Sequence, residues 1–126
     1  MLDSVVPREA SMANECLFCK IAAGEIPAKI VFKDDQVLAF EDSNPQAPFH
    51  VLIIPRQHLS TLNDLKTEDR ALAGHLIFCA AQIAQVNGHA QDGYRTVFNC
   101  NHGAGQSVFH IHLHLLAGRS MTWPPG

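Results

Sequence analysis

His110, His112 and His114 alternate strictly within the run Gln-Ser-Val-Phe-His-Ile-His-Leu-His-Leu-Leu at 106–116. In an extended strand successive side chains point to opposite faces. The three imidazoles therefore share one face, neighbours about 6.6 to 7 Å apart, while Phe109, Ile111, Leu113 and Leu115 share the other. A face that needs only to be wet has no use for side chains that titrate near neutrality. Three chemistries are open to such a row: ordinary half-buried histidines, ligation of a metal ion, or an imidazole nucleophile supported by its neighbours. A flat strand converges three rings on one ion poorly, which counts against the second.

The segment just ahead, Asn101-His-Gly-Ala-Gly-Gln-Ser107, carries glycines that let main-chain N–H groups turn inward as an anion nest. It lacks the Gly-Lys-Ser/Thr of a Walker loop. Beside a row of imidazoles it points to phosphate: a neutral histidine attacking phosphorus, with donors from Ser107, Gln106 and main-chain amides on the non-bridging oxygens. Cys16 and Cys19 have metal-ligand spacing, which is meaningful only if two further ligands exist; otherwise they are a helix turn with spare thiols. Cys79 and Cys100 read as core, and the isolated His75 and His89 as ordinary histidines.

These groups need a frame. Residues 16–23 can form a short helix closed by Gly24, with Pro27 blocking continuation. Residues 30–32 and 37–41 flank Asp34-Asp35 as a hairpin, residues 42–48 form a proline-stiffened loop, and 50–54 form an apolar strand stopped at Pro55. Thr67 is placed to cap a long helix that ends at Asn87-Gly88, with Leu72, Leu76, Cys79, Ile83 and Val86 on its apolar stripe. Strands over 94–100 and 108–117 complete an α+β domain with a mainly antiparallel, five-stranded sheet, one long helix and one short one. Residues 1–14 lack periodicity and are expected to be a disordered extension to a domain over 15–126. Trp123, in the closing Trp-Pro-Pro-Gly, needs a surface to pack on, and a partner subunit would supply one.

A chain of 126 residues with a 47% hydrophobic fraction makes one globular domain. Its formal charge of -3, with acids and bases scattered, speaks against a nucleic-acid-binding surface. No apolar run approaches membrane-spanning length and the N-terminus lacks a signal-peptide layout, so a cytoplasmic protein without a membrane partner is expected. Its four cysteines then sit in a reducing compartment.

His110-Ile-His112-Leu-His114-Leu-Leu resembles the His-φ-His-φ-His-φ-φ signature of the histidine triad (HIT) hydrolases. The likeness continues through Glu25-Ile-Pro-Ala-Lys29, Asn44-Pro-Gln-Ala-Pro48, His50-Val-Leu-Ile-Ile-Pro55, Gly105-Gln-Ser-Val108 and Trp123-Pro-Pro-Gly126. These blocks resemble the histidine triad nucleotide-binding branch, the purine nucleoside phosphoramidases. The resemblance implies a HIT-like fold, a homodimer whose sheets join edge to edge, and hydrolysis of AMP or GMP phosphoramidates, with aminoacyl- or lysyl-adenylates as further candidate substrates. It puts His112 at the nucleophile position, His114 on the phosphate, and His50 and His110 behind them. Asn99, Gly105, Gln106, Ser107 and Val108 fall on the phosphate side, Asp42 on the ribose hydroxyls, and Phe18 and Phe40 on the base, with Trp123 also counted to the nucleotide site. No cofactor is implied for catalysis.

The chain departs from the pattern in two places. Ser43 stands where close relatives usually carry isoleucine against the ribose or base. Cys16 and Cys19 persist where many phosphoramidases of this branch have lost them, and some bacterial-type members use such a pair with two histidines, here His58 and His110, to hold structural zinc. Three alternatives stay open beside the phosphoramidase. One is a dinucleoside polyphosphate hydrolase of the same superfamily, another a nucleotide-binding adaptor with incidental hydrolysis, and the third a metallohydrolase that uses the triad as ligands. A galactose-1-phosphate uridylyltransferase is disfavoured, because its motif ends in glutamine instead of the third histidine.

Overall fold

The computed structural model describes residues 15–126; the extension expected over 1–14 lies outside the described residues. Helix α1 (Leu17–Ala22) is capped by Cys16, whose Sγ accepts the Cys19 N–H at 3.4 Å. It stops at Gly24, which takes the φ of +80° that side chains disfavour. Strands β1 (Ile30–Lys33) and β2 (Val37–Glu41) form the expected hairpin. Asp34 sets its turn by accepting the amides of Gln36 and Val37 on Oδ1, each at 2.8 Å. Strand β3 (Phe49–Pro55), helix α2 (Arg70–Val86), β4 (Tyr94–Phe98) and β5 (Leu113–Ala117) follow. The five strands are antiparallel throughout, in the order β1-β2-β3-β5-β4.

Helix α2 covers one face of this sheet and α1 part of the other, which explains the unbroken apolar run in β3. On one face Val37, Ala39, Val51, Ile53, Leu113 and Leu115 pack under α2 against Leu76, Cys79, Ala80 and Ile83. On the other, Leu38, Phe40, Leu52 and Ile54 meet Cys16, Phe18 and Ile21 from the short helix. The period-two alternation of β5 places His114 opposite Leu52, on this second face.

Several boundaries differ from the sequence expectation, each for a physical reason. The histidine strand is shorter than 108–117: its ladder with β3 ends at the pair Ile53 and Leu113. Continuing it would set Ile111 against Pro55, which has no N–H to give. The Ile111 N–H instead reaches the Leu59 carbonyl at 2.7 Å. β4 likewise ends at Phe98, paired with Leu113, and not at Cys100. Thr67 does not cap the long helix; it opens a 3-10 turn, Thr67–Asp69, in which Asp69 Oδ2 accepts the Lys66 N–H at 2.9 Å before α2 begins. Val86, expected on the apolar stripe, is 82% exposed, while Ala80 and Ala84 are buried in its place. Cys79 is in the core as expected and Cys100 is half-buried.

Gly118 ends β5 at φ +94°, and a Cβ there would lie 2.9 Å from the Pro48 Cβ. Gly103 has open space and no positive φ. Gly118→Ala is therefore expected to cost about 1 to 3 kcal/mol in equilibrium denaturant unfolding, from backbone strain plus the clash. Gly103→Ala should stay within about 0.5 kcal/mol of the parent.

Candidate active site

The second face of the sheet carries a cleft of about 630 Å3. Its walls include Phe18 from α1, Phe40, Asp42 and Ser43 from the end of β2, Ser107 and Val108 from the glycine loop, and His112 and His114. Eight of the residues expected to bind a nucleotide thus share one concavity. Asn99, Gly105, Gln106 and Trp123 are not among the residues that line it, and Trp123 is 81% exposed. Sequence reasoning gave no role to Ile26, Lys29 and Glu41, which line the cleft as well. The signal was present: Glu25-Ile-Pro-Ala-Lys29 is part of the family resemblance, but its residue types suggest no chemistry by themselves.

Gln106, expected to donate to phosphate, is spent inside the protein. Its Nε2 donates to the carbonyls of Ser60 at 2.7 Å and Val108 at 3.1 Å, its Oε1 accepts the Asn101 N–H at 2.7 Å, and its own N–H reaches the Asn101 carbonyl at 3.1 Å. Gln106 is therefore the bracket that folds the loop, with Asn101 at φ 70° and Gly105 at φ 87°, so that Ser107 and Val108 reach the cleft.

The protonation pattern of the imidazoles follows from what their fixed partners can do. A carbonyl only accepts, so His112 carries its proton on Nδ1, which donates to the His110 carbonyl at 2.8 Å. The distal Nε2 is left with its lone pair. The Gln46 amide donates to His50 Nδ1 at 3.0 Å, so the His50 proton sits on Nε2, 2.9 Å from His114 Nδ1 and 3.4 Å from Asp42 Oδ2. His114 Nδ1 then accepts, and its proton is on Nε2. Main-chain groups thus give adjacent rings, with centroids 5.0 Å apart, opposite roles: a lone pair on His112 and a donor on His114.

Burial keeps all of these rings neutral. It lowers His112 below the ordinary histidine range, against the opposing hydrogen bond to the His110 carbonyl and the charge of Asp42. Burial, with the neighbouring His112 and His50 next, lowers His114 to about 4. His50 is lowered by burial in the same way, opposed by Asp42. Phe18 supplies part of this dry wall, its ring edge-on to His112 at 5.2 Å.

His110 faces elsewhere. Its Nε2 donates to the Pro55 carbonyl at 2.7 Å, which leaves the Nδ1 lone pair 3.3 Å from Cys16 Sγ, 3.5 Å from Cys19 Sγ and 3.2 Å from His58 Nδ1. Cys19 Sγ lies 3.3 Å from that His58 nitrogen, and His58 Nε2 faces Ser60 Oγ at 3.3 Å. The three triad histidines therefore do not converge on one ion. The cysteine pair, His58 and His110 do converge, and they fit a tetrahedral cation. Bonds of about 2.3 Å to sulfur and 2.0 to 2.1 Å to nitrogen imply donor separations of roughly 3.3 to 3.8 Å, close to those seen. Burial, and next the proximity of Cys16, push the Cys19 thiol up to about 12, and a cation bound there would favour its thiolate instead. His75 and His89, read as ordinary, pair with Asp34 at 2.8 Å and pack on Phe49 at 4.6 Å.

Residues 23–121 match the HIT domain family. A purine nucleoside phosphoramidase from Escherichia coli K12 is 50% identical over 110 residues, covering 87% of this chain and 92% of the relative. A HIT-like protein from Synechococcus elongatus is 49% identical over 115 residues, covering 91% of this chain and all of its own length. The crystal structure of a HIT family hydrolase from Legionella pneumophila Philadelphia 1 superposes with a TM-score of 0.87 at 58% identity, covering 88% of this chain and 99% of that one. With the triad, its cleft and its sheet in place, the chain belongs to the HIT domain family.

Proposed function

We propose that the protein is a purine nucleoside phosphoramidase that cleaves the P–N bond of AMP or GMP phosphoramidates through a nucleotidyl-histidine intermediate. The observation that carries this reading is the hydrogen bond from His112 Nδ1 to the His110 carbonyl, which leaves a neutral Nε2 beside the cleft. The activity named for the Escherichia coli relative at 50% identity supports the same substrate class.

In the first step the His112 Nε2 lone pair attacks the α-phosphorus. The P–N bond breaks and the amine leaves with its bonding pair, taking a proton from solvent. The ring now bears a positive charge, which the His110 carbonyl stabilises through the Nδ1–H. His114 Nε2–H and the Ser107 hydroxyl donate to the non-bridging oxygens. In the second step water attacks phosphorus, its proton goes to solvent, and His112 leaves as neutral imidazole with the nucleoside monophosphate free. Asp42 would hold the ribose hydroxyls, and Phe18 with Phe40 would wall the base. Ser43 adds a hydroxyl to the same wall.

Zinc held by Cys16, Cys19, His58 and His110 would tie α1 to the catalytic segment and take no part in the chemistry. A homodimer is favoured by the open edge of β4 and by the C-terminal tail beside it, where the Thr122 carbonyl accepts from Arg95 at 2.9 Å and Trp123 stands exposed. No helix among the described residues is long and apolar enough to cross a membrane, in keeping with the cytoplasmic location proposed here.

His112→Ala should lower turnover of a fluorogenic adenosine phosphoramidate by at least roughly 10^3-fold, while AMP affinity changes by less than about tenfold because binding is spread over the cleft. Retained turnover would remove His112 as nucleophile, and hydrolysis of diadenosine polyphosphate in preference would shift the reading to that activity. Carefully prepared protein should carry at least about one zinc per subunit by elemental analysis, as one four-ligand site requires; metal-free protein of full activity would return the cysteines to a packing role. Stability should fall on acidification. The unfolded chain protonates this imidazole below 6.5 whereas folded His114 resists until about 4, so the unfolded state takes up the extra proton across that window. Urea midpoints measured from pH 7 to 4 should decline less steeply in His114→Asn than in the parent.

A further inference from the structure

Asp34, His75 and Cys79 converge on the α2 side of the sheet, opposite the cleft. Asp34 is rigidly presented. The Gln36 and Val37 amides hold its Oδ1 and Arg56 Nε donates to its carbonyl at 2.8 Å, which leaves Oδ2 aimed at α2. His75 and Cys79 are one helical turn apart, so both project from one face of α2. The same i, i+4 interval brings two histidines to one ion in the His-Glu-x-x-His zinc motif. His75 Nε2 lies 2.8 Å from Asp34 Oδ2 and 3.5 Å from Cys79 Sγ, and the three donor atoms all lie within 4.8 Å of one another.

A hydrogen-bonded aspartate and histidine are a sufficient reason for those two residues. A thiol on the same contact is not explained by them. Position 79 needs only apolar volume for the core, yet here it sets a sulfur against an imidazole nitrogen. Burial, and next the charge of Asp34, push the Cys79 thiol above its ordinary range. Burial alone would raise Asp34, but the His75 hydrogen bond and the two amides outweigh it and hold the carboxyl below its usual value. A cation at the centre would favour the thiolate and the carboxylate alike.

We propose that Asp34, His75 and Cys79 form a second transition-metal site, for a divalent cation of the zinc class, with solvent as the fourth ligand. Thiolate, imidazole and carboxylate together favour a borderline-soft ion over magnesium or calcium. The His75 and Asp34 side chains are 28% and 30% exposed while Cys79 is buried, so the site opens to solvent on one side, as entry of an ion and a bound water require. The sulfur-to-nitrogen separation already suits a tetrahedral edge, and the Asp34-to-His75 contact must open by roughly half an ångström to reach one. The ion takes the place of the proton between Oδ2 and Nε2. That proton passes through solvent to Nδ1, so His75 binds as a neutral imidazole through Nε2, and the Cys79 thiol proton leaves to solvent. The bound ion would pin the β1–β2 turn to α2.

The test is metal content of the full chain after loading with Zn(II) or Co(II) and dialysis, in wild type, His75→Gln, Cys79→Ser and Asp34→Asn. The Cys16, Cys19, His58 and His110 cluster is intact in all four proteins, so any difference belongs to the second site, and phosphoramidate turnover plays no part in the readout. Wild type is expected to hold one equivalent more than each variant, and its Co(II) form to lose part of its thiolate-to-metal absorbance in Cys79→Ser. Equal metal content in wild type and the variants would overturn the proposal, including the case of a surplus ion that all four retain. Circular dichroism in chelator checks folding. His75→Gln changes a part-exposed side chain and keeps the comparison valid should Cys79→Ser prove unstable.

Discussion

The hydrogen bond from His110 Nε2 to the Pro55 carbonyl governs how the rest of the site is built. Pro55 has no N–H to extend the ladder between β3 and β5, and its carbonyl is taken by an imidazole instead of a strand neighbour. The chain ahead of Leu113 is thereby released from the sheet and held by the Leu59 carbonyl. That release separates the triad. His114 stays in the strand, His112 leans on the His110 carbonyl, and His110 turns its other nitrogen toward Cys16, Cys19 and His58. One imidazole thus connects the end of the sheet, the cysteine cluster and the orientation of the proposed nucleophile.

The two faces of the sheet divide the labour. The α2 face is filled by branched aliphatic side chains and supplies a rigid floor. The other face is only partly covered, because α1 is six residues long and seals only part of it, and the uncovered part is the cleft. Imidazoles standing on a rigid floor beneath a short helix are desolvated yet reachable. His112, 6% exposed, and Phe18 edge-on above it embody that compromise.

Desolvation also sets the chemistry. A buried imidazole is held neutral, and a neutral imidazole has one donor and one acceptor, so fixing one nitrogen determines the other. The structure fixes them with main-chain groups, the Gln46 amide and the His110 and Pro55 carbonyls, which neither titrate nor rotate away. The proposed nucleophile and phosphate donor are therefore preorganised by main-chain groups, and Asp42 acts from beside His50.

Much was legible in the residues themselves. Alternation told which side of β5 each residue faces, Asp34-Asp35 marked the hairpin turn, and Leu76, Cys79 and Ile83 marked the buried stripe of α2, because these signals are local and periodic. The blocks that match the HIT family located most of the cleft. Residue types could not reveal that Gln106 is consumed within its own loop, since that depends on the Ser60 carbonyl 46 positions away. Nor could they reveal which nitrogen of each imidazole is protonated, or that His75, isolated in sequence, meets Asp34 across 41 positions. Local periodicity determines which face a side chain occupies. Only the packed chain decides what stands opposite it, because a hydrogen-bond partner distant in sequence is chosen by tertiary geometry, and for a buried imidazole that partner decides the chemistry.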